Sequence, residues 1–424
     1  MLAIAIACGT IAPAAMTLQP SAGAAGDDLA SQLAALTQAY EVREEVVPRT
    51  GQLPLSLRLV LKPETAHRAP ELMAVTRAAL LRLGGWHGPL PRTDLTVFDL
   101  PWNSALLGAS RPGAIVTAMS ALPAPADRAL ARSVYAAVAR QYWHLPPTAS
   151  VARQTLGDGI AVYVAVRGIH EELAGGHAAT LRVAGGFLSY SIRQLSWSLP
   201  PDDPRPPVRD FTEVDGDAPQ AGTQRVALAL FTLERYLGWP ALQQALEVLQ
   251  SRWHTSDAGP AEFAAIISEQ RGADMRWFFD AALRFEARFD YAIASFSSEP
   301  RAAAAGDYET RVSVRRIGDG VFAGTVEPPG PLQTGRSLKV LTGFDDGTFM
   351  EEWWDGREAA EFVYTGQSRA RLASVDPEAM LLLDDDRANN TRVLSPEFTV
   401  TGVRFTASWL VWLQDVMLWS SALL

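Results

Sequence analysis

The chain has 424 residues, 48% hydrophobic and 20% charged, the balance of a globular protein with length for two or three domains. A net charge of −10 speaks against nucleic acid as a partner. The single cysteine, Cys8, lies so near the start that a mature chain without it has no disulfide, cysteine zinc site or cysteine nucleophile.

Residues 1–26 read as an export signal, with an apolar stretch from Leu2 to Met16 and Ala22-Gly23-Ala24 as the cleavage site. No basic residue precedes the stretch, which leaves a start further upstream open. Ala5-Ile6-Ala7 before Cys8 is a poor lipid-attachment box, so lipidation is the lesser reading. The protein is expected outside the cytoplasm, in the cell envelope or periplasm.

From Pro54 onward, Leu55 to Leu61 alternates like a half-buried strand and Pro70 to Leu83 has the period of an amphipathic helix. Leu95 to Phe98 and Ala114 to Thr117 read as further strands, with Gly108-Ala109-Ser110-Arg111-Pro112-Gly113 as a loop between them. Two helices follow. The first starts at Pro125, carries apolar residues at Leu130, Val134, Ala137 and Val138, and is stopped by Pro146 and Pro147. The second begins near Leu156 with Ile160, Tyr163 and Val164 on its apolar face.

His170-Glu171-Glu172-Leu173-Ala174 starts like H-E-x-x-H, but Ala174 takes the second histidine's place. His177 lies beyond Gly175-Gly176, so an exposed helix end is the better reading. His67, His87 and His254 are isolated in sequence, and His144 follows the first helix closely enough to face whatever cleft it lines. Leu181 to Leu199 reads as a helix and 200–221 as a long Pro- and Asp-rich loop. Thr223 to Leu237 is helical with Gly238 as its cap. Within Pro260 to Phe296, Trp277-Phe278-Phe279 follows a Gly272-Ala273-Asp274 segment.

Residues 306–394 alternate instead. Tyr308 to Val314, Phe322 to Val326, Ser337 to Leu341 and Arg371 to Val375 are strand candidates separated by Gly-containing turns, and the whole reads as a β-sandwich. Asp384-Asp385-Asp386 with Asn389 has oxygen ligands for Ca²⁺ but no EF-hand spacing, so a solvated turn is the plainer reading. Phe405 to Leu424 has the length of a membrane span, but Gln414 and Asp415 sit at its centre. An amphipathic helix presenting Trp409 and Trp412, with Trp419 two turns beyond Trp412, suits a membrane surface or a partner better.

The helix pair within 125–166, in this succession of segments, resembles the catalytic core of the aminopeptidase N-like gluzincin metallopeptidases. There the first helix carries H-E-x-x-H followed by Q-W, and the second carries N-E-G-x-A. Laid on that pattern, the two histidine positions are Ala136 and Arg140, the general base is Ala137, and Gln141 keeps the glutamine. Two histidines four apart share a helix face and so reach one Zn²⁺, which alanine and arginine cannot hold. Asp158 stands near the family's third ligand, one methylene shorter and one residue nearer. Thr223 stands where the family has a tyrosine that stabilises the tetrahedral intermediate, and the 108–113 loop lacks the acidic residue that binds a substrate amine.

The resemblance implies an α+β architecture. A thermolysin-like gluzincin catalytic domain with a helical lobe fills 27–300, a β-sandwich 305–395, and a Trp-rich helix 396–424. The substitutions imply a pseudoenzyme with no catalytic residue, no metal ligand set and no cofactor, although zinc is the family's cofactor. Arg140 is expected to fill the zinc position and pair with Asp158 by charge-assisted hydrogen bonds.

Three functions follow. The first is a binding or scaffold protein holding a protein or peptide in the former cleft. The second is an active zinc aminopeptidase-like hydrolase with other ligands, and the third a structural, membrane-associated subunit. No P-loop, G-x-G-x-x-G or G-x-S-x-G occurs, so nucleotides and serine hydrolysis have no support.

Overall fold

A computed structural model describes residues 31, 33–35, 38, 40–49, 53–90, 92–101, 103–104, 106, 110–119, 128–146, 148–174, 219–283, 287–301, 306–323 and 337–394. Residues 1–26, the helix expected over 181–199, most of the loop expected over 200–221 and the 405–424 tail with Trp409, Trp412 and Trp419 lie outside these. None of the described helices is long and apolar enough to cross a membrane.

A five-stranded sheet of order β1-β2-β3-β5-β4 forms first, from β1 (Glu41–Val47), β2 (Leu55–Leu61), β3 (Asp94–Asp99), β4 (Ser110–Arg111) and β5 (Ala114–Thr117). Strands β2, β3 and β5 run parallel, and β1 and β4 close the edges antiparallel. Leu55, Leu57 and Leu59 are buried while Ser56 and Arg58 are exposed, the period-2 pattern of a half-covered strand. Helix α1 (Ala69–His87) is the crossover that two parallel strands require. It runs one turn beyond the Leu83 expected from sequence. Part of the 108–113 segment, read as a loop, is the edge strand β4.

Where β2 and β3 end, Lys62 and Asp99 form an ion pair at 3.7 Å with side chains 8% and 0% exposed. Asp99 accepts hydrogen bonds from Thr65 Oγ1 and, at 2.7 Å, from the Met119 amide. Lys62 donates to the Met119 carbonyl at 3.0 Å.

The helical part comprises α2 (Arg128–Trp143), α3 (Val151–Ala174), α4 (Pro219–Leu237), α5 (Trp239–Trp253), α6 (Pro260–Arg271) and α7 (Arg276–Ala282). Helix α3 begins at Val151, more than a turn before the Leu156 expected, because Arg153, Gln154 and Thr155 interrupt the apolar period there. Helix α4 begins at Pro219, so the last residues of the segment read as a loop are helical. Pro125, the expected start of α2, lies outside the described residues.

Two arginines tie the helices together. Arg153 donates to the carbonyls of Trp253 (2.8 Å), Ser256 (3.0 Å) and Ala258 (2.7 Å) at the end of α5. Arg225 on α4 is buried and donates to the carbonyls of Ala281 and Ala282 at the end of α7, where a cation suits the helix dipole.

The β-rich part has one antiparallel sheet of order β10-β7-β6 and another of order β12-β11-β8-β9. Their strands are β6 (Tyr291–Pro300), β7 (Tyr308–Arg316), β8 (Leu338–Phe344), β9 (Phe349–Trp354), β10 (Ala359–Gly366), β11 (Ala370–Val375) and β12 (Thr391–Val393). Val312 and Val314 of one sheet and Val340, Ala373 and Val375 of the other belong to one buried cluster. The Ser298 hydroxyl on β6 joins the sheets by accepting from the Ala370 amide at 3.0 Å.

Strand β6 starts within the segment assigned to the first domain, so the β-rich part begins at Tyr291. Phe322 and Ala323, read as the start of a strand, are in none; Phe322 instead plugs the core beside Tyr236 and Trp277. Asp384 corrects the solvated-turn reading as well. It is buried, its carboxyl pushed up to about 7 by that burial, and it accepts from Asn390 Nδ2 at 2.9 Å. This segment docks on α4, where Thr232 Oγ1 accepts the Leu382 amide and Arg235 donates to the carbonyls of Glu378 and Ala379.

Candidate functional site: the cleft between α2 and α3

The exposed stripe of each helix follows from its period. On α2 the partly exposed positions Ser133, Ala136 and Arg140 are three and four apart and so share one face, while Val134, Tyr135, Ala137, Val138 and Ala139 are buried. On α3 the corresponding stripe is Gln154, Asp158 and Val162. The two stripes meet at Arg140 and Asp158, with Nε to Oδ1 at 3.8 Å. This is an ion pair beyond hydrogen-bond length, not the hydrogen-bonded pair expected from sequence. The side chains are 30% and 53% exposed. Burial pushes the Asp158 carboxyl up, and Arg140 and then His144 pull it back.

The rest of α3 explains why Asp158, and not its neighbour, faces the cleft. A Cβ on Gly159 would lie 2.3 Å from Val226 Cγ1 and 3.1 Å from the Thr223 carbonyl of α4. A Cβ on Gly157 would lie 2.9 Å from both the Trp143 carbonyl and the Trp253 ring. Either contact is closer than a side chain tolerates. The glycines flanking Asp158 are therefore pressed against neighbouring helices, which turns residue 158 outward.

The other sequence-predicted residues divide. Ala136 joins Arg140 and Asp158 at the cleft. Ala137 is buried in the core. Gln141 turns away, accepting the Gly113 amide at 2.9 Å and donating to the Arg111 carbonyl at 3.1 Å, and so pins the edge strands β4 and β5 to α2. Thr223 sits in the first turn of α4 with its carbonyl against Gly159.

His144, which follows α2, and His254, isolated in sequence, come together at the same end. The Trp253 indole donates to the Trp143 carbonyl at 3.1 Å, and this anchor sets His254 beside the Tyr142 carbonyl, with Nε2 to O at 3.3 Å. His144 is held below the usual imidazole range by burial and by His254, against the opposing pull of Asp158. Position after the helix was the one signal for His144; for His254 the sequence held none. Behind them His87 packs between the rings of Tyr142 and Trp143, each at 5.5 Å, with both ring nitrogens buried and without a hydrogen-bond partner among the described residues. Among the described residues, no group of three or more His, Cys, Asp or Glu gathers for a metal ion.

No protein-family model matches the chain, and no curated protein matches it. Among solved structures, the chain is similar to aminopeptidase A of Legionella pneumophila in complex with aspartic acid. The TM-score is 0.52 and the identity 14%, over 81% of this chain and 38% of that one. It also aligns with the M1 zinc metallopeptidase of Deinococcus radiodurans at 19% identity and a TM-score of 0.41, over 57% of this chain and 51% of that one. The chain thus spans less than two thirds of either protein's length. At 14% identity the first likeness establishes fold alone: this chain has a mixed α+β architecture, built like part of an aminopeptidase.

Proposed function

We propose that this chain is a metallopeptidase-fold protein that does not hydrolyse peptides and instead holds a protein or peptide in the cleft between α2 and α3. The observation that carries the reading is the Arg140–Asp158 pair at 3.8 Å. A guanidinium stands on the helix face where the resembling family presents a zinc-binding imidazole, and it is ion-paired with Asp158. The donor set does not fit zinc. Ala136 and Ala137 offer no ligand atom, Arg140 repels a cation, and Gly159 has no room for a longer acid beside Val226. No hydrolytic step is derived for the site. Export through residues 1–26 and membrane contact through Trp409, Trp412 and Trp419 belong to the same proposal and rest on sequence alone.

Metal content of the purified chain tests the reading, with the triple variant Ala136→His/Ala137→Glu/Arg140→His as the control. The expected result is no zinc and no peptide hydrolysis in the natural chain, with zinc taken up by the variant. Stoichiometric zinc and aminopeptidase activity in the natural chain would overturn it, because the ligands would then lie elsewhere.

A further inference from the structure

We infer that the cleft recognises a carboxylate group of its guest and that Arg140 is the residue that takes it. The inference rests on the reading of the cleft as a binding site and names the chemistry it selects.

A guanidinium carries five N–H donors in a fixed fork. Among the described residues none of those of Arg140 is hydrogen-bonded, and its ion-pair partner Asp158 stands at 3.8 Å, outside hydrogen-bond range. Arg153 and Arg225 show what a structural arginine does in this fold. The first donates to three backbone carbonyls and to Asp257 at 2.8 Å, and the second to the carbonyls that end α7. Among the described residues Arg140 has no such engagement, although it is only 30% exposed and so partly shielded from water.

A partly shielded arginine fork with free donors matches a carboxylate, which it binds through two parallel charge-assisted hydrogen bonds. Ala136, one turn away on the same face, has the smallest side chain among the partly exposed positions of that stripe. Asp158 is the intramolecular competitor. Its side chain is 53% exposed, so its carboxylate has water to turn to when a second carboxylate approaches Arg140. A guest ammonium, in contrast, meets a fixed cation. The selectivity is therefore opposite to that of a site for a peptide α-amine.

The test uses the full chain and three probes, the peptides Ac-Ala-Ala-Ala-OH, Ac-Ala-Ala-Ala-NH2 and Ac-Ala-Asp-Ala-NH2, with binding measured by calorimetry. The natural chain is expected to bind one of the two carboxylate peptides about ten- to a hundredfold tighter than the neutral one, the scale of a hydrogen bond to a charged group. The better of the two identifies the source as a C-terminus or an acidic side chain. Arg140→Gln should erase the preference, while Asp158→Asn, which removes the competitor, should tighten carboxylate binding. A folded Arg140→Gln protein, checked by circular dichroism, that keeps the preference overturns the inference. So does equal binding of all three probes to the natural chain, which leaves the cleft as a peptide site without this selectivity. Binding of none of them overturns the peptide-site reading as well.

Discussion

Two ion pairs of nearly equal length divide this molecule into a part that is fixed and a part that is available. Lys62–Asp99 spans 3.7 Å and Arg140–Asp158 spans 3.8 Å. The first is buried at the ends of parallel strands, where Thr65 and both backbone groups of Met119 complete its hydrogen bonding. Burial pushes the Asp99 carboxyl up, and Thr65, Met119 and Lys62 work against that push. The second lies between two exposed helix stripes with no hydrogen bond at all between its members. Separation alone therefore says little about an ion pair's role. Burial and hydrogen-bond saturation decide whether the charges are spent on the fold or left for a guest.

The largest effect expected from this contrast is at the buried pair. Lys62→Met leaves the Asp99 carboxylate buried without its cation, and breaking a buried pair from one side costs about 3–5 kcal/mol. Urea unfolding of the purified variant measures it as a fall in midpoint at unchanged slope. Lys62→Met/Asp99→Asn should recover much of the loss, because the uncompensated charge goes too. A single variant that unfolds within about 1 kcal/mol of the natural chain would remove the distinction between the two pairs.

The next effect sits beneath the cleft. Burial holds His87 at about 4, against 6.5 for a free imidazole, so the unfolded chain takes up this proton before the folded one does. The contribution to stability is complete above pH 6.5 and is lost as pH falls from 6.5 to 4, with no further loss below. The interval corresponds to about 3 kcal/mol. Other acids titrate in the same range, Asp384 with the opposite sign because its folded value is raised. The measurable quantity is therefore the stability difference between the natural chain and His87→Leu. That difference should move by about 3 kcal/mol in favour of the variant from pH 7 to pH 4. A constant difference would show that His87 meets water in solution, and the cleft end would be looser than its packing against Tyr142 and Trp143.

Much of the scaffold was legible in sequence, because two periods carry it. Alternation marks β2 and β7, and the apolar stripe at three and four marks α2, α3 and α4. What escaped the pattern escaped for physical reasons. Strands β9 and β10 expose residues such as Phe349, Met350 and Val363, so their sequences do not alternate cleanly between apolar and polar. Arg153, Gln154 and Thr155 interrupt the apolar period at the start of α3, and β4 is too short to show a period. At the site, the meeting of Arg140 with Asp158 followed from the resemblance. The reason it is residue 158 that turns outward did not, since Gly157 and Gly159 are pressed against partners far away in the chain. The approach of His254 depends likewise on Trp253 finding the Trp143 carbonyl, a contact between residues 110 apart in sequence. Periodicity reports which face a residue occupies. It does not report which distant residue it meets there.

The smallest effect is the most exacting for the comparison. Partly exposed ion pairs contribute less than about 1 kcal/mol to stability, because water screens them and ordering two side chains costs entropy. Arg140→Gln and Asp158→Asn should each change the unfolding free energy by less than about 1 kcal/mol, and their double variant should equal the sum within about 0.5 kcal/mol. A loss of 2 kcal/mol or more with strong coupling would make the pair a structural clasp between α2 and α3, engaged like Lys62–Asp99 and unavailable to a guest. If stability is indifferent while carboxylate binding changes in opposite directions in the two variants, the charge at residue 140 serves the ligand and not the fold. Stability measured alongside binding thus separates a clasp from a receptor, which the distance of 3.8 Å does not.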